Sequence, residues 1–350
     1  MSFIKGLYLI DCPASAVNNA GENTESNYEN AVAVKKIQTR EGKFAYISAQ
    51  AIRYYIRERL KDNRDWKASP IFRETKIAYT DANPIEYAED DLFGYMRAPS
   101  KKNVAESDLT PLEKDVTLTR NSPVKVSTVV SVGPAAIVDD FGVMARHEGD
   151  PVPFAHEFYR ASMLGMMSID LKMCGRFYHI SRTGYKHLDS VRIDLAKKKK
   201  LKEYDNSTAY ELPLDERVER VGMFLDAFAN LSGGAKGSIH YTDIAPRFLF
   251  VAVGRGGNHF FPTIAGPDSK NRPHINLDAI RESISVFKES LQSRLYVGLT
   301  KGYLDEQRDG LENCLKEIKK GSGIDFIFDH PVTVINELNK DLKENPEWMS

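Results

Sequence analysis

The hydrophobic pattern of this chain opens with an apolar run, FIKGLYLI (3–10), rich in aromatic and branched side chains, and it predicts a buried strand. An Asn/Ser/Gly-rich stretch (13–32) predicts loop, and VKKIQTREGKFAYI (34–47) predicts a short hairpin turning at Glu41-Gly42. The segment YISAQAIRYYIRERL (46–60) changes period. Ile52, Ile56 and Leu60 recur at four-residue steps, which predicts a helix with one buried stripe, and Ser48 stands where an N-cap belongs. At helical pitch Gln50, Arg53 and Arg57 lie within roughly 60° of one another beside that stripe. Arg59 falls on the apolar side.

Residues 62–125 lose this periodicity. They are polar and punctuated by prolines, with LFGYMRAP (92–99) as an apolar-basic patch, and they read as an irregular insertion. VKVSTVVSV (124–132) predicts a core strand, and the aromatic- and Met-rich 154–180 predicts further strands. LDSVRIDLAKKKKLKEYDNS (188–207) predicts a hairpin with a basic tip at Lys197–Lys200. LDERVERVGMFLDAFANL (214–231) predicts an amphipathic helix stopped by Gly233-Gly234. Strand material at 238–254 and 294–300 and helices at 277–292, 310–320 and 332–345 complete the chain. This order suits an α+β, ferredoxin-like core carrying large insertions, and that sheet is also the RNA-recognition-motif sheet. The core takes residues 1–61 and 124–300 and includes a hairpin within about 165–210. The insertion takes 62–123, and a C-terminal helical segment takes 301–350.

Composition narrows the function classes. No apolar stretch approaches the roughly 18–20 residues of a membrane-spanning helix, so no membrane partner is expected. The N-terminus lacks the basic lead and long apolar run of a signal peptide. Cys12, Cys174 and Cys314 are far apart and form neither a zinc pattern nor a disulfide framework, which fits a reducing cytoplasm. Net charge is −1, but it is unevenly spread. Residues 31–76 hold 12 Lys/Arg against 5 Asp/Glu, and residues 303–350 hold 6 against 11. Such opposed ends fit contacts between copies, or separate solvated faces.

Enzyme signatures are absent. His156-Glu157 does not continue to H-E-x-x-H, because Arg160 stands in the last position. SGGAKGS (232–238) and GRGGNHF (254–260) match neither phosphate-loop nor dinucleotide spacing, although both bring backbone amides forward. The Asp139-Asp140 pair is a candidate magnesium ligand set, or a surface feature. What remains is a set of phosphate-seeking groups: Lys35, Lys36, Gln50, Arg53, Arg57, Arg97, Arg146, Arg176 and Lys236, with Met and aromatic side chains near 163–178 as candidate base wedges.

Several segments in order resemble one family: VKKIQTREGKFAYISAQAIRYYIRERL, SPVKVSTVVSV, DDFGVMAR, HEFYRASMLGMMSIDL with GRF, GYKHLD, and LSGGAKGSIHYTDIAP. Together they resemble the CRISPR-associated DevR-type (Cas-seven) backbone subunit of type I Cascade, most closely the type I-B branch. The resemblance implies an RRM-like palm, a finger insertion and a β-hairpin thumb. It implies copies stacked as a helical filament along a guide RNA, in an antiviral complex with other Cascade subunits and a target DNA strand. It implies no catalysis and no cofactor. It assigns RNA-backbone contacts to Ser48, Gln50, Arg53 and Arg57, and to the Asn18-Asn19 loop; the thumb, within about 165–210, is either 188–207 or part of 165–185, and Met166 is a further candidate RNA contact. The competing readings are a metal-dependent ribonuclease using Asp139 or Asp140, a solitary regulator, and a structural protein without nucleic acid. On sequence alone, Arg53→Glu with Arg57→Glu should leave folding intact and abolish RNA retention, read as loss of RNA absorbance in the purified protein.

Overall fold

In a computed structural model the described residues are 1–23, 30–73, 77–98, 110–113, 116–180 and 186–350. Parts of the 13–32 loop, most of the RAPSKKNVAESDLTPLEKD stretch, and Gly184-Tyr185 of GYKHLD lie outside them.

The fold is mixed α+β around one large sheet. Its strand order runs Phe326–Asp329, Leu295–Leu299, Phe248–Arg255, Ser2–Ser15, Val152–Asp170, Val129–Ser131, Lys43–Ile47, Lys36–Gln38. The first strand, Ser2–Ser15, is central and pairs antiparallel on both sides. Leu7 faces Met166 on one neighbour and Phe250 on the other. Flanked on both faces, it is buried at every position from Ser2 to Ile10, which is why its sequence is apolar rather than strictly alternating. Tyr8 fills the space over Gly165, where a Cβ would lie 2.5 Å from the ring, so that position takes only glycine.

The described residues form seven helices: α1 (Ala49–Leu60), α2 (Ala88–Phe93), α3 (Ser190–Lys198), α4 (Leu214–Ala229), α5 (Leu277–Phe287), α6 (Asp305–Ser322) and α7 (Pro331–Glu344). One core joins α1, α4 and α7 to Ile4, Tyr8, Ile10 and Met167. The other packs α5 and α6 on Leu7, Leu9, Phe248 and Phe250. In α1 the expected stripe of Ile52, Ile56 and Leu60 is buried in the first core.

Four expectations change. Residues 190–198 are helix, not the arm of a hairpin, because Asp189 caps it by accepting the Arg192 N–H and is itself buried against the Arg192 guanidinium. The Lys197–Lys200 run therefore ends a helix. The long hairpin lies elsewhere: Ile137–Met144 pairs with the first half of Val152–Asp170 and exposes Val138, Val143, Met144 and Val152. VKVSTVVSV is two short strands, because Ser127 bonds Met166 through both its backbone N–H and its side-chain oxygen and interrupts the ladder. A boundary at residue 300 divides a β-α-β unit, since Leu295–Leu299 and Phe326–Asp329 are parallel neighbours joined through α6.

The polar insertion has an ionic interior. Asp91 is fully buried and accepts hydrogen bonds from Arg120, Arg220 and the Gly175 N–H. It thereby ties α2 to α4 and to the turn after the long strand. Asp81 with Arg97, and Asp189 with Arg192, repeat the device nearby. Removing one partner strands the other charges in low dielectric. Asp91→Ala is therefore expected to cost about 3–5 kcal/mol in denaturant unfolding, and a change under about 1 kcal/mol would contradict this role.

Candidate nucleic-acid interface

The first strand leaves the sheet at Ser15, and Ala16 and Val17 are buried beneath α1. From there two consecutive peptide units hold three other segments. The Val17 carbonyl accepts the Tyr55 hydroxyl at 2.7 Å and the Ala235 N–H at 2.9 Å. The Asn18 carbonyl accepts the Lys35 N–H at 2.9 Å, while its side-chain oxygen accepts the Ser48 N–H at 3.0 Å. Ser48 in turn caps α1 by accepting the Ala51 N–H at 3.3 Å. Asparagine suits position 18 because its short amide reaches a neighbouring backbone donor.

This knot gathers Asn18, Asn19, Lys35, Lys36, Ser48, Gln50 and Lys236 from four places in the sequence. Gln50 is exposed on the first turn of α1, and that turn holds no acid, so the positive end of the helix dipole stands unopposed by carboxylates of its own turn. Lys36 is bonded to Glu157, whose second oxygen accepts the Val34 N–H. Lys236 is half-buried in a left-handed turn at φ 55°. Burial pulls its ammonium below the usual lysine range, and Asp140 opposes that pull.

The 232–242 loop that carries Lys236 is fixed at several points. Gly233, at φ 125°, lies so close to the Tyr55 ring that a Cβ would sit 2.8 Å from it. Farther along, the His240 Nε2 meets the His156 Nε2 at 2.9 Å, and the Thr242 hydroxyl meets Ser15 at 2.5 Å. Between these anchors Tyr241 is 96% exposed. Sequence reasoning missed Tyr241. Its signal, an aromatic ring in a glycine-rich loop beside a lysine, gained weight only from the loop's place beside Asn18.

Other expected contacts are not at this knot. Arg53 donates to Ser122 Oγ at 3.1 Å, the Val124 carbonyl at 3.2 Å and the Phe93 carbonyl. Arg57 lies 4.3 Å over the Phe93 ring, and its Nε is 3.0 Å from Glu89, near enough for an ion pair though not aligned as a hydrogen bond. Both guanidiniums thus bind α1 to the insertion, and burial, with Arg57 adding, brings Arg53 down to about 10. Arg97 and Arg176 are corrected outright: each is about 95% buried, Arg97 on Asp81 and the Thr110 carbonyl, Arg176 on Glu211 and over Tyr204. Met166 is also corrected, because it packs on the sheet face covered by α5 and α6, away from α1. Arg146 is exposed in the bend at the tip of the long hairpin.

Asp139 and Asp140 are exposed on the hairpin, opposite Glu157 and His156 in register. Among the described residues no three His, Cys, Asp or Glu side chains are gathered to hold a metal ion. All three cysteines are buried, and burial, with Asp11 adding, pushes the Cys12 thiol up to about 12. Among the described residues no helix is long and apolar enough to cross a membrane.

The expectation that Arg53 is dispensable for folding changes accordingly. Its bonds are charge-assisted and part-buried, so Arg53→Ala is expected to cost about 1.5–3 kcal/mol in denaturant unfolding. An unchanged unfolding midpoint would show that the insertion holds to α1 without it.

No curated protein matches the chain. A chain of a CRISPR RNA-guided surveillance complex matches at 10% identity and a TM-score of 0.47, covering 97% of this chain and 99% of that chain. A chain of such a complex in its pre-nicking state matches at 10% identity and a TM-score of 0.49, over the same shares. The family model for the CRISPR-associated negative auto-regulator DevR/Csa2 matches residues 11–269, most of the chain from the end of the first strand to beyond Tyr241, and the chain belongs to that family.

Proposed function

We propose that this protein is a non-catalytic backbone subunit of a type I Cascade-type effector complex, of the I-B kind, that grips guide RNA by its sugar-phosphate backbone. The observation that carries the reading is the convergence at Val17-Asn18 of lysines, side-chain amides and a helix N-terminus within a DevR/Csa2 chain. A subunit that must hold any guide needs donors for phosphate and sugar rather than base edges. The central strands with α1 and α4 then serve as an RRM-like palm, residues 62–123 as fingers, and the hairpin of Ile137–Met144 with the first half of Val152–Asp170 as the thumb. In this reading Lys35, Lys236 and Gln50 meet phosphates, and Tyr241 offers a ring on which a base stacks. Arg146 and the exposed Val143 and Met144 at the hairpin end meet RNA or the next copy. Further copies, other Cascade subunits and a target DNA strand are the partners, in the cytoplasm. The ribonuclease reading through Asp139 or Asp140 draws no support from how their carboxylates are placed.

Expression of the protein with its operon neighbours tests the proposal. The purified complex should carry RNA of uniform length, seen as a raised 260/280 absorbance ratio and a discrete band. Lys35→Ala with Lys236→Ala should lower the RNA carried several-fold while the thermal unfolding midpoint stays within a few degrees. A wild-type complex free of RNA would overturn the reading.

A further inference from the structure

His156 and His240 have no part in the grip as described, and they come from distant places: the long strand, and the loop carrying Lys236 and Tyr241. Their Nε2 atoms are 2.9 Å apart. Neutral imidazole has one N–H, so one ring donates and the other accepts. The rings are held by their neighbours. His240 stacks on Phe158 with centroids 5.4 Å apart and meets His156 edge-on at 5.0 Å, and Phe154 lies parallel to His156 at 6.5 Å. His156 is 2% exposed, and its Nδ1 is buried without a hydrogen-bond partner.

Among the described residues, the charged groups around the pair are few. On the facing hairpin strand, the Asp140 Oδ2 is 3.4 Å from the His156 Nε2. On the loop, Lys236 acts on both His156 and Asp140. Next along the long strand, Glu157 is engaged by Lys36 and the Val34 N–H. On the remaining side, His156 pairs with Val32, which carries no charge.

We infer that the His156–His240 contact is a proton-sensitive latch that positions the 232–242 loop, and with it Lys236 and Tyr241, for the RNA backbone. The inference rests on the RNA-binding reading above. A first added proton leaves one N–H between the two nitrogens, and Asp140 is placed to balance the charge. A second proton leaves two donors face to face and no acceptor, and the loop loses this anchor while keeping those at Val17 and Ser15.

The direction of the pH effect follows from the burial of His156. Burial holds its imidazole below the ordinary range, with Lys236 and His240 adding to that and Asp140 opposing it. A base depressed in the folded state contributes its stabilisation fully above the ordinary imidazole value, about 6.5. The contribution is lost as pH falls from there toward the depressed value. His156 and His240 are thus positioning residues rather than ligands of RNA.

Hydrogen exchange on the full-length, RNA-free protein between pH 8 and 5.5 is the test, with rates corrected for intrinsic chemistry and the Ser2–Ser15 strand as internal reference. Protection of residues 235–242 should fall several-fold on acidification while the reference strand stays protected. His240→Gln, which keeps an N–H donor without titrating in this range, should flatten that profile. His240→Ala should lose loop protection at every pH and weaken binding of a single-stranded RNA at pH 7.5, and His240→Gln should recover part of that affinity. Loop protection unchanged from pH 8 to 5.5, or a His240→Gln profile that tracks the wild type, would overturn the latch. A loop that opens with acid in a protein that binds no RNA at pH 7.5 would leave the latch standing and sink the RNA-binding reading instead.

Discussion

The candidate interface depends on how the chain leaves its central strand. Two carbonyls and one side-chain amide, at Val17 and Asn18, take up donors from α1, from the segment after the 24–29 stretch, and from the 232–242 loop. Each buried backbone donor needs a partner, and leaving one unmade costs about 1–3 kcal/mol. These bonds therefore fix the relative positions of Lys35, Ser48, Gln50 and Lys236 more strictly than any of those side chains does for itself. The sheet beneath makes the knot rigid, because Ser2–Ser15 is paired on both edges and packed on both faces.

The insertion obeys a different rule. Its own apolar core is small, with Tyr95 and Leu118 around Ala82, and buried ion pairs at Asp81 and Asp91 add the specificity. Asp91 also recruits Arg220 of α4, and Arg192 of α3 donates to the Asp81 and Ala82 carbonyls, so charged side chains hold the insertion to the rest of the fold. The arginines of α1 belong to the same arrangement. Arg53 and Arg57 sit over Phe93; Arg53 bonds Ser122 and two carbonyls and Arg57 forms an ion pair with Glu89, which makes the helix a mount for the insertion as well as a wall of the interface. A subunit built this way couples the position of its insertion to the surface that carries Gln50.

Local signals were legible in the sequence. The Ile52–Ile56–Leu60 stripe and the Ser48 cap each depend on residues within a turn or two, and the structure keeps both; α4 ends at Ala229 with Asn230 as its C-cap, ahead of Gly233-Gly234. The residues of the knot were also named from sequence, but their meeting was not readable, because it rests on bonds between positions as far apart as 17 and 235. Charge misled where its partner was remote. Arg97 and Arg176 look like free cations until Asp81 and Glu211 fold against them. The alternation V-R-I-D-L near 191–195 reads as a strand, and one buried aspartate at 189 turns it into a helix. Met166 follows the period of two: Met163 and Met167, an odd number of positions away on the same strand, share the face of α1, and it points to the other.

The central claim is that the knot at Val17-Asn18 presents a grip for RNA backbone without regard to base sequence. Titration of RNA-free protein with two single-stranded RNAs of equal length and unrelated sequence, across a range of salt, tests it most directly. The account predicts nearly equal affinities, and a log–log salt slope near −0.7 for each phosphate neutralised that shrinks when Lys35 and Lys236 are replaced by alanine. Strong preference for one sequence, or a slope that ignores both lysines, would contradict it.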